Sequence, residues 1–126
     1  MFISGIEDFD YKNKKKNYWN DVWGVNMKCM APSIILNPLI DTCPQKLINS
    51  SSCKIADFDL YTVTKEELDF CSKYELTFRR NNDVLSGIVA WFETGFTKLP
   101  IKNKLSTSPY FKVHIGIKQY FIQIEI

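Results

Sequence analysis

Apolar and polar residues alternate along two stretches of this chain, residues 54–63 and 74–79. A period of two places every second side chain on the same face of a strand, so each stretch predicts a strand with one buried and one solvated face. Residues 88–96 are apolar almost throughout, which predicts the strand most enclosed by a sheet. Residues 1–6 predict a further short strand. The pattern therefore predicts a mainly β fold, an antiparallel barrel or sandwich-like domain with a short helical arm.

Turn-forming residues separate these strands. Gly87 and Gly95 predict bulges or bends near the ends of the enclosed strand, as the closure of a barrel requires. The apolar positions are odd-numbered after residue 111 and even-numbered after residue 118, which predicts a one-residue register change near Lys118 and Gln119. The other predictions are an edge strand or extended connection at 34–40, a helical turn at 43–48, a loop at 49–52, a capping-box turn at 64–67, a turn at 81–83 and a loop at 100–109.

Residues 7–30, which we call the arm, carry two pairs of large apolar side chains spaced four apart. The pairs are Tyr18 with Val22 and Trp19 with Trp23, and a helix places residues at this spacing on one side. Such a helix has only about two turns and is not stable alone in water. Its aromatic side chains need a surface to bury them, and either this chain's own core or a partner supplies that surface.

The ends of this helix are predicted at Asn17, a residue type that caps helix N-termini, and at Gly24, a residue type that ends helices. A cluster of four lysines precedes it: Lys12, Lys14, Lys15 and Lys16. The cluster is read as a solvated stem leading into the helix rather than a phosphate-binding patch, because no other basic cluster supports the patch.

Composition and charge narrow the classes of function. A chain of 126 residues forms one domain, and 45% hydrophobic with 24% charged residues is ordinary for a soluble protein. A formal net charge of +2 is too small to argue for nucleic-acid or membrane partners. No apolar run approaches the ~20 residues that span a bilayer, and the first residues lack the pattern of a signal peptide. We therefore expect a cytoplasmic or nuclear protein.

Four cysteines are widely spaced along the chain: Cys29, Cys43, Cys53 and Cys71. None forms a Cys-x-x-Cys pair, so neither a zinc site nor a disulfide framework is expected, and no metal is predicted.

Several motifs resemble those of protein arginine methyltransferases. They are Ile6-Glu7-Asp8, Tyr11-Lys12, Lys15, Trp19, Val22, Gly24, Met27, Cys29, Asp59-Leu60-Tyr61-Thr62-Val63, Arg80-Asn81, Val89-Ala90-Trp91-Phe92, Phe96-Thr97 and Ser106-Thr107-Ser108-Pro109. The resemblance covers roughly residues 3–110 and is closest to the enzymes that make asymmetric dimethylarginine. It implies a C-terminal β-barrel domain, residues 1–126, whose dimerisation arm lies at about 7–30.

The resemblance also implies an activity, the transfer of a methyl group from S-adenosylmethionine to the guanidinium of arginine. That cofactor sits on a doubly wound α/β sheet with a glycine-rich first turn, and this chain has neither feature. The family's paired glutamates lie outside this sequence as well. We therefore expect this chain alone to bind no cofactor and to be inactive. Its expected roles are to form one wall of the substrate groove and to associate into a homodimer through Tyr18, Trp19, Val22, Trp23 and Met27.

His114 is the residue to which the resemblance assigns a catalytic role. The family has Thr-His-Trp at this place, whereas this chain has Val113-His114-Ile115, and the Lys-Gln pair that follows is displaced to Lys118 and Gln119. A solvated histidine on the polar face of a strand explains the residue equally well. The family barrel continues beyond Ile126, so an incomplete barrel with an isoleucine-rich edge that favours self-association is expected.

An acidic segment offers a second candidate surface, with Asp57, Asp59, Glu66 and Glu67. It would steer protein substrates with arginine-rich segments, or it is the solvated side of an amphipathic strand. The rival to the enzyme hypothesis is a stand-alone, non-catalytic β-domain that binds a protein partner through the same arm.

Overall fold

A computed structural model describes residues 1–35, 39–80, 84–98, 100, 103–111 and 119–122. Within these ranges the strands are β1 (Phe2–Ile6), β2 (Leu39–Asp41), β3 (Ile48–Lys54), β4 (Gly87–Trp91), β5 (Glu93–Phe96), β6 (Asn103–Ser106) and β7 (Gln119–Ile122). The helices are α1 (Phe9–Tyr18) and α2 (Ala31–Ile35), and single 3₁₀ turns occupy Lys28–Met30, Gln45–Leu47 and Glu66–Leu68. None of the described helices is long and apolar enough to cross a membrane.

The strands form two antiparallel sheets. The larger has five strands in the order β2-β7-β4-β1-β3, and the smaller pairs β5 with β6. Each described pairing is antiparallel. The mainly β fold with antiparallel hairpins is therefore confirmed, while the described strands form an open sheet with β2 and β3 at its edges rather than a closed barrel.

Strand β4 is the most enclosed element, as its sequence predicts. Every residue of β4 is buried, and Val89 has no exposed surface. Val89 and Trp91 pack on one side with Ile6, Cys43 and Ile48, whereas Ile88 and Ala90 pack on the other side with Ile3. The two sets alternate because successive side chains of a strand point to opposite faces.

The enclosed strand is shorter than the prediction of residues 88–96. It ends at Trp91, and the chain re-enters a sheet as β5. At the break, the backbone N–H of Phe92 donates to Thr107 Oγ1 at 3.0 Å, and the N–H of Thr107 donates to the Phe92 carbonyl at 3.0 Å. The break thus falls at Phe92. The predicted bulges at Gly87 and Gly95 are wrong, since pairing is regular at both residues.

Residues 49–52 form part of β3, so the prediction of a loop there is wrong. The serine hydroxyls find partners inside the sheet. Ser50 Oγ accepts from the Gly5 N–H at 2.7 Å and donates to the Ser51 carbonyl at 2.8 Å. Ser4 Oγ donates to Ser52 Oγ at 2.9 Å. Because small polar side chains can be buried once they are hydrogen-bonded, this serine-rich strand tolerates a place in the sheet.

Gly5 lies where the pairing of β1 with β3 changes register, between Ser4 and Ile6. A Cβ at this position would lie 3.0 Å from Leu85 Cδ1, 3.2 Å from Ser50 Oγ and 3.3 Å from Asn49 Oδ1. Ser50 cannot move away without losing its bond to the Gly5 N–H. We expect Gly5→Ala to lower the free energy of unfolding by about 1–3 kcal/mol in urea denaturation.

Gly95→Ala is the matched control for this variant. Its added Cβ would meet Thr97 Cγ2 at 3.8 Å, an ordinary van der Waals distance. An equal effect of the two substitutions would contradict the crowding described at Gly5.

The strand predicted at residues 54–63 ends at Lys54 instead. The Ile55 N–H donates to the Met1 carbonyl at 3.0 Å, and the amino group of Met1 donates to the Ala56 carbonyl at 2.7 Å. Because β3 runs antiparallel to β1, the following residues pass the end of β1 and have no β1 residue to pair with. Leu60 and Tyr61 accordingly lie on an exposed turn. The alternation of residue types there does not correspond to a strand.

The strand predicted at residues 74–79 pairs only at its end. Phe78 forms an isolated bridge with Ser50, the Ser51 N–H donates to the Thr77 carbonyl at 2.8 Å, and the Arg79 N–H donates to the Asn49 carbonyl at 2.9 Å. These bonds tie the segment to β3 without extending the sheet by a full strand.

The predictions for the short connecting elements have mixed outcomes. The helical turns at 43–48 and 64–67 are confirmed, and the Thr64 N–H donates to Glu67 Oε2 at 2.8 Å, which is one of the two bonds of a capping box. Of residues 34–40, the last two begin the edge strand β2, but Ile34 and Ile35 end helix α2. The loop predicted at 100–109 contains β6.

Some predictions fall outside the described residues. They are the turn at 81–83, most of the strand at 111–117, the edge at Ile126, and the register change apart from Gln119. Strand β7 is described, and it lies between β2 and β4. The expectation of an exposed edge at the final strand is therefore wrong for residues 119–122.

Candidate interaction arm

Helix α1 lies earlier in the arm than the aromatic spacing predicts. It spans Phe9–Tyr18. Asp10 lies in its first turn, where the positive end of the helix dipole interacts favourably with a carboxylate. The Asn20 N–H donates to the Asn17 carbonyl at 3.0 Å in the turn that follows. The lysine cluster therefore forms the helix instead of leading into one.

The prediction of a helix that ends at Gly24 is wrong, because two residues there have left-handed backbone angles. Trp23 has φ of 58° and Gly24 has φ of 84°. With these angles the chain is not helical at Trp23, so Trp19 and Trp23 do not lie on one side of a helix. The residues form a tight turn instead, in which the Val22 N–H donates to the Val25 carbonyl at 2.8 Å and the Val25 N–H donates to the Val22 carbonyl at 3.1 Å.

A side chain closes the same turn. Asp21 Oδ1 accepts from the Gly24 N–H at 2.7 Å. We call residues 22–25 the tip turn. Its two central residues with positive φ match the hairpin turns whose twist fits paired strands.

The base of the tip turn is tied back to the end of α1. The Met27 N–H donates to the Trp19 carbonyl at 2.9 Å, and the rings of Tyr18 and Trp19 meet edge to face at 5.3 Å between centroids. Trp19 and Met27 are half-buried. Helix α1 also packs against α2, which follows the arm.

The arm contributes nothing to the core of its own chain among the side chains that the structure describes. None of those between residues 7 and 33 is buried. Trp23 is 94% exposed, and Tyr18 and Val25 are exposed as well. Val22 is half-buried. This much exposed apolar surface favours docking over completion of the chain's own core, and docking itself stays a prediction.

The acidic segment is exposed, and three of its four predicted residues have local partners. Asp57 pairs with Lys54, whose hydrogen bond and charge lower the pKa of the Asp57 carboxyl. Asp59 Oδ1 accepts from the Tyr61 N–H at 3.0 Å, and Glu67 accepts from Thr64. Glu66 is exposed in the adjoining 3₁₀ turn. The structure places these acids along one exposed segment, and steering of substrates stays a prediction.

His114 and its neighbours lie outside the described residues. Within the described ranges, no three His, Cys, Asp or Glu side chains are grouped to hold a metal. Cys43 is buried, and burial, with a smaller contribution from Asp8, raises the pKa of its thiol to about 12. A thiol that stays protonated at neutral pH is a poor nucleophile.

Sequence reasoning missed two residues of the tip turn, Gly24 in its role as a turn residue and Val25, and it also missed Asp21, whose side chain bonds to the turn. The signal was present, since two valines flank a two-residue pair that ends in glycine, which is typical of a tight hairpin. The four-residue spacing of the aromatics predicts a helix in the same segment, so the helical pattern and the hairpin pattern compete there.

A family model described as the arginine methyltransferase oligomerization subdomain matches residues 1–123. Among curated proteins, protein arginine N-methyltransferase 1 of Schizosaccharomyces pombe is 39% identical over 108 residues, which cover 86% of this chain and 32% of that protein. Its counterpart in Saccharomyces cerevisiae is 38% identical, covering 87% of this chain and 32% of the relative. The chain thus spans about a third of the length of these relatives.

Solved structures share the fold. The Trypanosoma brucei PRMT1 enzyme–prozyme heterotetrameric complex with AdoHcy has a TM-score of 0.87 at 24% identity, over 98% of this chain and 38% of that chain. Arabidopsis thaliana protein arginine methyltransferase 10 has a TM-score of 0.74 at 15% identity, over 99% of this chain and 44% of that one. The fold is therefore that of known arginine methyltransferase structures.

Proposed function

Because this chain belongs to the arginine methyltransferase family through its oligomerization subdomain, we propose that it is the subunit-association and substrate-groove part of a protein arginine methyltransferase. The full enzyme transfers a methyl group from S-adenosylmethionine to the guanidinium of arginine in protein substrates. The proposal combines the family match with the exposed tip turn.

The single observation that carries the association role is the exposure of Trp23. An indole that is 94% exposed at the end of a projecting turn leaves most of its apolar surface in water. Burying a large aromatic side chain contributes roughly 2 kcal/mol or more, so a partner that covers it gains affinity. Aromatic residues of this kind dominate binding energy at protein interfaces.

The partner we propose is a second subunit of the same protein, which gives a homodimer through the arm. The description of the matching family as an oligomerization subdomain supports this assignment. In the dimer the arm of one subunit docks on the other subunit and helps to order its cofactor site. Tyr18, Trp19, Val22, Trp23 and Met27 supply the contact.

S-adenosylmethionine does not fit the described part of this chain. A cofactor of this kind binds at the carboxyl ends of parallel strands, next to a glycine-rich turn. Every described strand pairing here is antiparallel. We therefore place cofactor binding outside this chain and derive no step of the reaction through it.

The substrate role rests on the acidic segment. Arginine-rich segments are cationic, and exposed carboxylates at Asp57, Asp59, Glu66 and Glu67 raise their local concentration near the groove. His114 is proposed as a residue at the mouth of the active site, by its match to the family histidine.

Methyl transfer by the full-length protein that carries this sequence tests the enzyme assignment. We expect it to move the labelled methyl group of S-adenosylmethionine to a peptide rich in arginine, measured by scintillation counting. A peptide of the same sequence with lysine in place of every arginine serves as the control. Absence of transfer to either peptide would favour the rival function, a stand-alone β-domain that binds a protein partner through the arm.

A calorimetric titration tests the placement of the cofactor. We expect the chain of residues 1–126 to give no heat beyond dilution when it is titrated with S-adenosylmethionine, because its described strands pair antiparallel and this cofactor binds at the carboxyl ends of parallel strands. Saturable heat would contradict the assignment of cofactor binding to another part of the enzyme.

A further inference from the structure

The tip turn holds a bulky aromatic residue in an unfavourable backbone conformation. Trp23 has φ of 58°, in the left-handed region that non-glycine residues rarely enter. Within the described residues it is the only one other than glycine with positive φ. Such a conformation persists only where the surrounding bonds over-determine it, and it concentrates at functional sites.

Three hydrogen bonds hold this conformation. Two join the backbones of Val22 and Val25 in both directions, at 2.8 and 3.1 Å. The third runs from the Gly24 N–H to Asp21 Oδ1 at 2.7 Å, outside the backbone pairing. All of them lie in an exposed part of the arm, so they shape the turn without supporting the core of the sheet.

Glycine is required at position 24 by the backbone conformation and not by a lack of room for a side chain. Its φ is 84°, and a Cβ added there would meet no atom within 4 Å. Glycine enters this region at no steric cost, asparagine tolerates it, and other residues avoid it. A substitution at this position therefore changes the backbone preference without creating a clash.

We propose that the tip turn is a preformed anchor, in which Asp21 and Gly24 are positioning residues that aim the indole of Trp23 into an apolar pocket of the second subunit. The inference rests on the proposed function and adds to it the residues that shape the anchor. Ordering a loop during association costs free energy, and a turn that is already in its bound shape avoids that cost. Asp21 and Gly24 act through Trp23 and not through contacts of their own.

The test measures the dimer dissociation constant of the full-length protein that carries this sequence by sedimentation equilibrium. Gly24→Ala is expected to raise the constant roughly fivefold or more, because fewer molecules hold the competent turn. Gly24→Asn restores most of the affinity. Asp21→Ala raises the constant roughly three- to tenfold, whereas Asp21→Asn retains an oxygen acceptor and most of the affinity.

Gly95→Ala is the matched glycine control, with ordinary φ and an added Cβ in normal contact, and leaves the constant unchanged. Thermal unfolding checks that each variant is folded. We expect all of them to fold, because the tip turn contributes no buried residue. Failure of Gly24→Asn or Asp21→Asn to restore affinity would overturn the positioning role. If Trp23→Ala weakens the dimer while Gly24→Ala and Asp21→Ala do not, the inference fails and the proposed function stands. If Trp23→Ala changes nothing, docking through the arm is itself wrong.

Discussion

Replacement of Trp23 by alanine is expected to raise the dimer dissociation constant of the full-length protein that carries this sequence by about thirtyfold or more. The indole is 94% exposed in the free chain, so its truncation removes contact area only from the interface. Adding Met27→Ala, whose side chain lies at the base of the tip turn, weakens the dimer further. Light scattering across a concentration series measures both effects.

Tyr61→Ala is the control for this prediction. Tyr61 is also a large exposed aromatic, at 71%, but it lies in the turn after β3, outside the arm. Its replacement is expected to leave the dissociation constant unchanged. A dimer that persists in Trp23→Ala, or that weakens equally in Tyr61→Ala, would be evidence against the arm as the interface.

Replacement of Trp91 by alanine is expected to lower the free energy of unfolding by about 3–5 kcal/mol. Trp91 is 3% exposed at the end of β4, with its ring stacked on Phe2 at 5.9 Å and edge to face with Tyr110 at 6.0 Å between centroids. Its removal leaves a cavity that these neighbours cannot fill. The loss is a large part of the ~5–15 kcal/mol that stabilises a domain. Urea denaturation followed by circular dichroism measures it.

Trp23→Ala makes a matched pair with Trp91→Ala because the same atoms are removed from an exposed and from a buried site. We expect Trp23→Ala to change the free energy of unfolding of the monomer by less than about 0.5 kcal/mol. Equal losses in the two variants would mean that Trp23 is packed in the folded chain, contrary to its exposure.

Hydrophobic pattern predicted the elements that the core needs most. Strand β4 lies where a continuous apolar run places it, because a strand covered on both faces is apolar along most of its length. Strand β1 lies within the predicted residues 1–6, although Ser4 and Gly5 interrupt its apolar residues. Alternation was a weaker guide. Residues 54–63 alternate as a strand does, yet beyond Lys54 they pass the end of β1 and do not continue the strand pairing. The serine-rich strand β3 has no apolar pattern from which to predict it. Its place in the sheet is stabilised by bonds from the Gly5 N–H to Ser50 Oγ and from Ser4 Oγ to Ser52 Oγ.

The residues of the arm were identified from sequence, but their geometry was not. Aromatic side chains beside a lysine cluster pointed to Trp19, Trp23 and Met27 as an interaction surface. The spacing of four suggested a helix, whereas the turn depends on positive φ at Trp23, a conformation that a tryptophan rarely adopts. Asp21 was missed because its role is a bond to the Gly24 N–H, which exists only once the turn has formed.

The sequence by itself determined the mainly β class, the enclosed position of β4, the family resemblance and the identity of the arm's aromatic residues. These depend on residue type and local spacing, which the chain carries whether it is folded or not. Only the tertiary structure decided the sheet order, the end of β3 and the exposure of Trp23. Each of these depends on which distant segments pair across the sheet, because a strand needs a neighbour and a side chain is buried only where another part of the molecule covers it.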